Sequence, residues 1–560
     1  MYIRKSSLRF SSVFLVIILF LIFFTSKLIW IQFFRSSYLA NRAEKQHKHG
    51  IKIEPKRGTI YDRKMRPLAV NVSVHSLFAN PRHMTDEDKL RAIEKLSALL
   101  GLDKEFLKSR LGRKKYFVWL ARKLDSQTAE EVRKLEIRGL SFRKESKRHY
   151  PNQYLAAHVI GYAGMDNKGL EGLELLYDRY LKGESGWTQI LRDAKHRELL
   201  IEKEAIPARD GFNIILTIDE TIQFIAEQAL EKAFIKHNAK SASIIVMDPM
   251  TGEILALANR PTYDLTEFAD SRAESRPNRA VVYVYEPGSV FKIVAATAAL
   301  EEEVFMETDE IYCENGEYRI ANHILHDSHP HGTLTFREVI EQSSNIGTTK
   351  IAQKLGASVF YKYAKRLGFG RKTGIDLIGE VSGLLKPPSQ WSKTSIGALP
   401  IGQEVTVTPL QLVCAISCIA NGGVYMKPYV VKYIVDNTDE LIKKFEPEAF
   451  GRIISEDTAQ RVKEILKGVV ENGTGRRARI KGVHVAGKTG TAQKVIGREY
   501  SHNRFYASFV GFAPAEDPRV AAVVVFEEPH PSYYGGTVAA PVFREMMVDT
   551  LKYLEANDYN

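Results

Sequence analysis

The chain has 560 residues, of which 44% are hydrophobic and 26% charged, and its formal net charge at pH 7 is +12. This composition excludes a disordered protein, and the length exceeds what one ordinary hydrophobic core supports, so at least two domains are expected. The basic surface would suit nucleic acid or an anionic membrane or cell-wall polymer. No nucleic-acid-binding signature accompanies it, and we predict no nucleic-acid partner.

An almost wholly apolar segment at residues 10–31 follows the basic residues Arg4, Lys5 and Arg9. It is long enough to cross a bilayer as one helix. No small-x-small cleavage site follows it, so we predict a retained signal anchor instead of a cleaved signal peptide. No second run reaches this length, which predicts a single-pass membrane protein with a cytoplasmic tail at residues 1–9. The charges on both sides of the anchor leave its orientation open.

Residues 32–208 contain no catalytic triad, metal-ligand box or phosphate loop. Leucines at helical spacing predict a helix from Asp86 to Leu100 that Gly101 stops. We interpret this region as a non-catalytic pedestal. A Pro/Gly-containing stretch then marks a boundary, and residues 209–560 are predicted to form the second domain.

Strand and helix patterns alternate in this second region. Residues 243–248 and 254–258 predict a hairpin of two apolar strands, helical patterns follow, and strand patterns return near residues 505–527. This order predicts an α+β fold with helices packed on a mostly antiparallel sheet. Residues 260–277 are expected to form a mobile loop over or beside the site, and whether it gates the site is open.

A candidate nucleophile lies in the segment 285–292, Tyr-Glu-Pro-Gly-Ser-Val-Phe-Lys. The Pro-Gly pair precedes an apolar run that predicts a buried helix, with Ser289 in its first turn and Lys292 on the same face. A desolvated amine can take the proton of a serine hydroxyl, as in the Ser-x-x-Lys arrangement of acyl-transfer enzymes. The same spacing at Ser141 and Lys144 lies in a very basic stretch, where a solvated charged segment is expected.

Two polar residues, Ser343 and Asn345, follow an amphipathic helical pattern. On a turn between helices, this hydroxyl and this amide could point into one cleft. Helix capping is the alternative interpretation.

Lys-Thr-Gly occurs twice, and we predict that the copy at Lys488 belongs to the site. It continues as a strand in which Thr489 and Thr491 share one face. Gly490 removes a side chain where a substrate backbone could pair with the strand edge. The copy at Lys372 follows a glycine-rich helix stop and is predicted to be a loop.

In chain order these motifs are Ser289…Lys292, Ser343…Asn345 and Lys488-Thr-Gly. Together they resemble the penicillin-binding protein family of serine acyltransferases, whose signatures are Ser-x-x-Lys, Ser-x-Asn and Lys-Thr-Gly. All three match without a departure.

The resemblance extends over nearly the whole chain. Segments 57–63 and 169–177, with the anchor, look like the pedestal of class B, transpeptidase-only members. Segments 278–289, 507–514 and 533–543 look like the division-specific FtsI type. The resemblance implies a single transmembrane helix, an elongated mixed α/β pedestal of the dimerisation type, and a penicillin-binding/serine β-lactamase-like transpeptidase domain whose antiparallel sheet is flanked by helices.

The resemblance also implies a mechanism. Ser289 would attack the penultimate D-alanine carbonyl of a peptidoglycan stem peptide, with Lys292 as the proton acceptor. Burial and the second amine of Lys488 would both favour the neutral form of Lys292. The backbone N–H groups of Ser289 and Thr491 would form the oxyanion hole.

The other motif residues would bind substrate and move a proton. Ser343 would pass a proton to the departing D-alanine, and Asn345 would bind the peptide amide. Lys488 and the substrate-binding strand Thr489-Gly490-Thr491 would hold the terminal carboxylate. An amine of a neighbouring stem would then resolve the acyl-enzyme and form a cross-link.

No metal or organic cofactor is predicted. Cys414 and Cys418 share one face of a predicted helix, where core packing is expected, and no His or Cys pair at ligand spacing accompanies them. The resemblance implies peptidoglycan stem peptides as substrate, β-lactams as inhibitors, and a SEDS-type membrane glycan polymerase and other division proteins as partners. It also implies a single-pass protein of the cytoplasmic membrane with an extracytoplasmic catalytic domain.

Four alternatives stay open at this point. An elongation-type class B transpeptidase would share every motif. A β-lactamase would share the three catalytic motifs, but the pedestal and the retained anchor argue against it. A β-lactam-binding sensor would usually need several membrane spans. A catalytically dispensable division scaffold would not need every catalytic residue type intact.

Overall fold

The computed structural model describes residues 3–34, 50–192, 198–200, 206–321, 323–497 and 499–558. The chain divides into two compact units. The smaller unit consists of Met1–Pro55 and Glu184–Arg209, and the larger one of Lys56–Gly183 and Asp210–Asn560.

The described strands, in chain order, are β1 (Gly50–Ile53), β2 (Ile60–Tyr61), β3 (Pro67–Ala79), β4 (Val118–Leu124), β5 (Leu140–His149), β6 (Gly186–Arg192), β7 (Glu198–Leu200), β8 (Asn213–Leu216), β9 (Ser241–Met247), β10 (Ile254–Arg260), β11 (Glu310–Tyr312), β12 (Glu317–Ile320), β13 (His323–His326), β14 (Thr333–Thr335), β15 (Val424–Met426), β16 (Val431–Val435), β17 (Leu441–Lys444), β18 (Ala449–Arg452), β19 (Ala486–Ile496), β20 (Glu499–Ala513) and β21 (Val520–Glu527). The described α-helices are α1 (Ile3–Phe34), α2 (Asp86–Leu100), α3 (Lys104–Leu111), α4 (Ser126–Arg133), α5 (Ala157–Ile160), α6 (Gly172–Leu176), α7 (Asp178–Leu181), α8 (Glu220–Lys236), α9 (Arg279–Val282), α10 (Lys292–Glu301), α11 (Phe336–Glu341), α12 (Asn345–Leu355), α13 (Ala357–Arg366), α14 (Ser395–Ala398), α15 (Pro409–Ala420), α16 (Glu456–Glu471) and α17 (Gly535–Asp558).

The smaller unit contains α1 and an antiparallel sheet of order β1-β6-β7. In the part of the chain that the structure describes, no helix combines the length and the apolar character that crossing a membrane requires. The anchor expected at residues 10–31 therefore stays a prediction.

The pedestal region begins the larger unit, and the helix expected from Asp86 to Leu100 is confirmed as α2. A reciprocal capping box between Thr85 and Asp88 starts it, and Gly101 ends it in the left-handed conformation, with φ of 65°. Helices α2 and α3 bury leucines, and α4 buries Val132, against β3 and β4 in a small core of their own.

One sheet joins strands from both sides of the boundary predicted at residue 209. Its order is β17-β16-β8-β2-β3-β4, with β5 also paired to β3. Strand β2 runs parallel to β8, and the other pairs in the sheet are antiparallel. The division into domains at residues 32–208 and 209–560 stays a prediction.

A five-stranded antiparallel sheet of order β10-β9-β21-β20-β19 forms the centre of the catalytic region. Alternate residues of β9 belong to two different cores: Ile244 and Val246 pack with α8 and α17, whereas Ile245 and Met247 pack with α10 and α15. Helices therefore cover both faces, and the expected α+β arrangement of helices on a mostly antiparallel sheet is confirmed. Its outermost described strand on one side is β19, which carries Lys488.

The loop expected beside the site packs instead on the pedestal. Residues 260–277 contain two short 3-10 helices, Phe268–Asp270 and Ala273–Ser275. The Phe268 ring stacks on Tyr162 with a centroid distance of 4.0 Å, and His158 Nε2 donates to the Ser275 carbonyl oxygen over 2.8 Å. Aromatic stacking and buried hydrogen bonds hold this loop on residues 153–162 in the structure, and its mobility stays a prediction.

Candidate active site

The backbone around Ser289 packs directly against β19. Gly288 has φ of +55°, and a Cβ atom at this position would lie 2.8 Å from the Thr491 carbonyl oxygen. A 3-10 helix, Gly288–Phe291, continues into α10. Ser289 is half-buried in this 3-10 turn, which precedes the α-helix in whose first turn it was expected.

Lys292 is the first residue of α10, and its side chain is fully buried. Its Nζ atom lies 3.1 Å from Ser343 Oγ and 2.8 Å from Asn345 Oδ1, and it also bonds the Ser343 carbonyl oxygen. Lys488 Nζ donates to Ser343 Oγ over 2.9 Å. The structure therefore brings together four of the five predicted catalytic side chains, with Ser343 Oγ between the two amines.

The fifth, Ser289, has a hydroxyl that makes no hydrogen bond with any described residue; Lys292 Nζ instead bonds the loop that carries Ser343. Catalytic hydrogen bonds of free enzymes often form only when substrate is bound. The contact between Ser289 and Lys292 thus stays a prediction.

Both buried lysines have depressed pKa values. Burial lowers the pKa of Lys292 to about 7, although the negative charge of Asp327 opposes the shift. The pKa of Lys488 lies well below its ordinary value, first because of burial and second because of repulsion from Lys292. This repulsion disfavours a state in which both amines carry a proton. A large share of Lys292 is then neutral, the form that can accept a proton.

Ser343 lies on the turn between α11 and α12, in the left-handed conformation with φ of 62°, and Asn345 is the first residue of α12. Ser344, between them, is the N-cap of α12 and accepts from Gly347 N–H. Asn345 Nδ2 also donates to the His326 carbonyl oxygen over 2.9 Å. Helix capping, the alternative interpretation, is thus performed by the residue between the two functional ones.

Asp327, which the sequence did not single out, holds this turn. Its Oδ1 accepts from the backbone N–H groups of Asn345 and Ile346, and its Oδ2 accepts from Ser344 Oγ over 2.6 Å. A carboxylate is favourable at the N-terminus of α12, where N–H groups lack helical partners. Asp327 therefore fixes the turn that places Ser343 and Asn345.

Strand β19 carries the third motif. Thr489 Oγ1 lies 2.8 Å from Thr474 Oγ1, and Thr491 Oγ1 accepts from Gly535 N–H over 3.0 Å. Lys488, fully buried, faces the other way, as the two-residue period requires. Thr474 belongs to no sequence motif, and Gly535 lies in segment 533–543, which was singled out only by its resemblance; the fold alone reveals that they support the two threonines.

The structure shows a packing role for Gly490, and its expected role in substrate binding stays a prediction. A Cβ atom there would lie 2.8 Å from the Pro287 carbonyl oxygen and 2.4 Å from Ser508 Oγ. The missing side chain thus makes room for the segment that carries the predicted nucleophile.

The other Lys-Thr-Gly, at Lys372, lies in a loop as expected. Thr373 is buried and bonds the Glu380 carboxylate. Cys414 and Cys418 are buried free thiols in α15. Among the described residues, no group of three or more His, Cys, Asp or Glu is arranged to hold a metal ion.

Two family models match the chain. The model described as the penicillin binding protein transpeptidase domain covers residues 242–548, and the one described as the penicillin-binding protein dimerisation domain covers residues 52–216.

Similar proteins include stage V sporulation protein D of Bacillus subtilis (strain 168), which is 37% identical over 96% of this chain and 84% of that protein. Peptidoglycan D,D-transpeptidase FtsI of Escherichia coli (strain K12) is 32% identical over 98% of this chain and 92% of its own length. Among solved structures, penicillin binding protein 3 of Mycobacterium tuberculosis in complex with aztreonam has a TM-score of 0.70 at 27% identity, covering 90% of this chain and 97% of that one.

Proposed function

The chain belongs to the penicillin-binding protein transpeptidase family, and we propose that it is a peptidoglycan D,D-transpeptidase that forms an acyl-enzyme on Ser289. The observation that carries this proposal is the row of contacts from Lys292 through Ser343 to Lys488, next to the segment that holds Ser289. The names of the relatives support the substrate class, a stem peptide that ends in two D-alanines.

In the acylation step, Ser289 Oγ attacks the carbonyl carbon of the penultimate D-alanine. Lys292 accepts the serine proton, and its depressed pKa supports this role because a charged ammonium has no lone pair. The new bond joins Oγ to the carbonyl carbon, and the carbonyl oxygen becomes negatively charged. The backbone N–H groups of Ser289 and Thr491 stabilise that charge, and one such donor typically lowers the barrier by about 3–4 kcal/mol.

In the next step the C–N bond to the terminal D-alanine breaks, and the leaving nitrogen takes a proton. Ser343 supplies it, because its hydroxyl contacts both amines and can be reprotonated from either. An amine of a neighbouring stem then attacks the ester, loses its proton along the same path and releases Ser289.

Substrate binding uses the remaining motif residues. The side-chain amide of Asn345 accepts a hydrogen bond from the peptide amide of the substrate or donates one to it, and the strand Lys488-Thr489-Gly490-Thr491 binds the terminal carboxylate. The contact of Thr489 with Thr474 supports this role, since it holds one hydroxyl of this strand in a fixed orientation.

The cellular role we propose is septal cross-linking, as the FtsI relatives suggest. Residues 10–31 would anchor the protein in the cytoplasmic membrane with the catalytic region outside, and a SEDS-type polymerase and other division proteins would be its partners. β-Lactams would acylate Ser289. One relative is named for sporulation, so localisation of a tagged protein at mid-cell in growing cells is the observation that favours division.

The acyl-enzyme can be tested directly. The full chain in detergent is incubated with a labelled penicillin, and the adduct is located by mass spectrometry. We expect one adduct on Ser289, none in Ser289→Ala, and normal labelling in the matched control Ser141→Ala, which removes the other Ser-x-x-Lys serine. Labelling of Ser289→Ala, or an unlabelled wild type, would refute the assignment.

A further inference from the structure

A separate cavity of about 270 Å³ lies at the junction of the pedestal and the catalytic region and contains none of the Ser289-site residues. Residues of the segments 158–172, 273–282 and 377–379 line it. Drug-sized ligands occupy cavities of about 300–1,000 Å³, so this one suits a smaller molecule.

One wall of the cavity carries a carboxylate without a protein partner. Glu171 is half-buried, and its carboxylate forms no hydrogen bond or ion pair with another described residue. Burial raises the pKa of Glu171, and the positive charge of Arg276 only partly offsets this. A partly desolvated carboxylate whose charge is only partly compensated is unfavourable, so a donor or cation in the cavity would stabilise it.

Arg276 also lines this cavity, and one nitrogen of its guanidinium has no described hydrogen-bond partner. Arg276 Nε donates to Ser271 Oγ, and Nη2 donates to the carbonyl oxygens of Phe268 and Ser271. These bonds hold the guanidinium in place. Nη1 has no described partner, and no ion pair joins Arg276 to Glu171 within the described chain.

We propose that this cavity binds a small zwitterion of the α-amino acid or short peptide class, with its ammonium group at Glu171 and its carboxylate at Arg276. Two opposite, unpaired charges on one small cavity match both ends of such a molecule. A simple cation would be repelled by Arg276 and a simple anion by Glu171. The apolar side chains of Val282 and Leu377 line the remaining wall and suit a short aliphatic side chain.

The ligand would bridge two parts of the molecule. Glu171 belongs to the pedestal, whereas Arg276 belongs to the loop that continues into α9 and then into the segment with Ser289. The site is independent of the acyl-transfer chemistry proposed above. Water is the competing occupant, because at about 30 Å³ per molecule about nine waters would fill the same space.

Ligand-detected NMR on the full-length protein provides the test, with D- and L-alanine, glycine and the dipeptide D-Ala-D-Ala as probes. Propionate and ethylamine each carry only one of the two charges. We expect at least one zwitterion to bind, with neither single-charge probe competing. Glu171→Gln should weaken binding at least about tenfold. Its carboxylate supports no helix cap, so this variant should fold normally.

Glu267→Gln, an exposed change in the same loop, is the matched control and should bind like wild type. Arg276→Gln should also weaken binding, and its unfolding temperature without ligand will reveal any loss of the loop's own hydrogen bonds. Equal binding by wild type and Glu171→Gln would overturn the proposal. So would equal binding of propionate or ethylamine, or no binding by any probe, which would leave water as the occupant. The penicillin adduct on Ser289 is measured separately, so failure of one proposal does not affect the other.

Discussion

Replacing Asp327 by Asn tests whether this carboxylate controls the catalytic turn. The side chain keeps its size but loses its charge. In the wild type, Asp327 Oδ1 accepts from the backbone N–H groups of Asn345 and Ile346, and Oδ2 accepts from the Ser344 hydroxyl. Asn can still accept the two N–H groups, but as a neutral partner.

The magnitude follows from these bonds. A hydrogen bond to a charged group contributes about 1.5–3 kcal/mol, against about 0.5–1.5 kcal/mol for a neutral one. Weakening two bonds by about 1 kcal/mol each loosens the turn by about 2 kcal/mol. If the turn must be ordered in the transition state, acylation slows roughly 10- to 30-fold.

The pH profile gives a second, independent readout. Lys292 accepts a proton only when neutral, so acylation should rise with pH through its pKa of about 7. The charge of Asp327 raises that pKa, so Asp327→Asn lowers it and moves the acid limb to lower pH. At low pH the variant therefore loses less of its rate than wild type does.

The assay is the second-order rate of penicillin attachment to Ser289 between pH 5 and pH 9, followed by quenched mass spectrometry. Asp517→Asn, an exposed carboxylate, is the matched control and should leave both rate and profile unchanged. An acid limb that stays in place or moves to higher pH would refute the electrostatic argument. A rate equal to that of the control would refute the role in holding the turn.

Two further changes test close packing at Gly490 and the buried ion pair of Arg57. Gly490→Ala should slow acylation at least tenfold and cost about 1–3 kcal/mol of stability, because the new methyl group collides with backbone of the nucleophile segment. In the control Gly332→Ala the nearest atom would be 3.7 Å away, and equal effects in both variants would contradict the packing argument. Arg57→Ala should lower the free energy of unfolding in urea by about 3 kcal/mol or more, since Glu174 is fully buried and loses one of its two arginine partners. Arg477→Ala, at an exposed site, should cost less than about 0.5 kcal/mol; a similarly small loss at Arg57 would show that the buried pair is dispensable.

Local sequence patterns predicted the local structure well. The helix Asp86–Leu100 was predictable because its cap, leucine spacing and glycine stop all lie within about twenty residues. Strand pairing was not predictable from the sequence. Strand β2 pairs in parallel with β8, which is distant in sequence, and hydrophobic alternation does not encode which two strands will be neighbours. The packing of segment 260–277 on the pedestal was not predicted, because its Arg, Pro and Ser content was weighed above Tyr263 and Phe268, whose rings contact Tyr162.

The residues of the candidate active site also include some that the sequence predicted and some that it did not. The convergence of Ser343, Asn345 and Lys488 was predictable because each belongs to a short motif, and three motifs in a fixed order are more specific than any one of them. Asp327 was not predictable, since a single acidic residue in a loop has no spacing that marks it. Its role arises only when the turn between β13 and β14 comes to lie against the N-terminus of α12. Supporting residues of this kind depend on three-dimensional proximity, which one sequence does not contain.

The hydrogen bonds around Lys292 also define which proton arrangement the free site can hold. Two of its three partners, the Ser343 carbonyl oxygen and Asn345 Oδ1, can only accept, so they use the two N–H bonds of a neutral amine. The lone pair of that amine then accepts from Ser343 O–H, and Ser343 Oγ in turn accepts from Lys488. Every group is satisfied with Lys292 neutral. In the acyl transfer proposed above, Lys292 would pass on the Ser289 proton through Ser343, because its other two described partners only accept hydrogen bonds. Ser343 is therefore the one described side chain through which Lys292 and Lys488 can exchange a proton directly. Asp327 supports this exchange because it holds the turn that places Ser343 between the two buried amines.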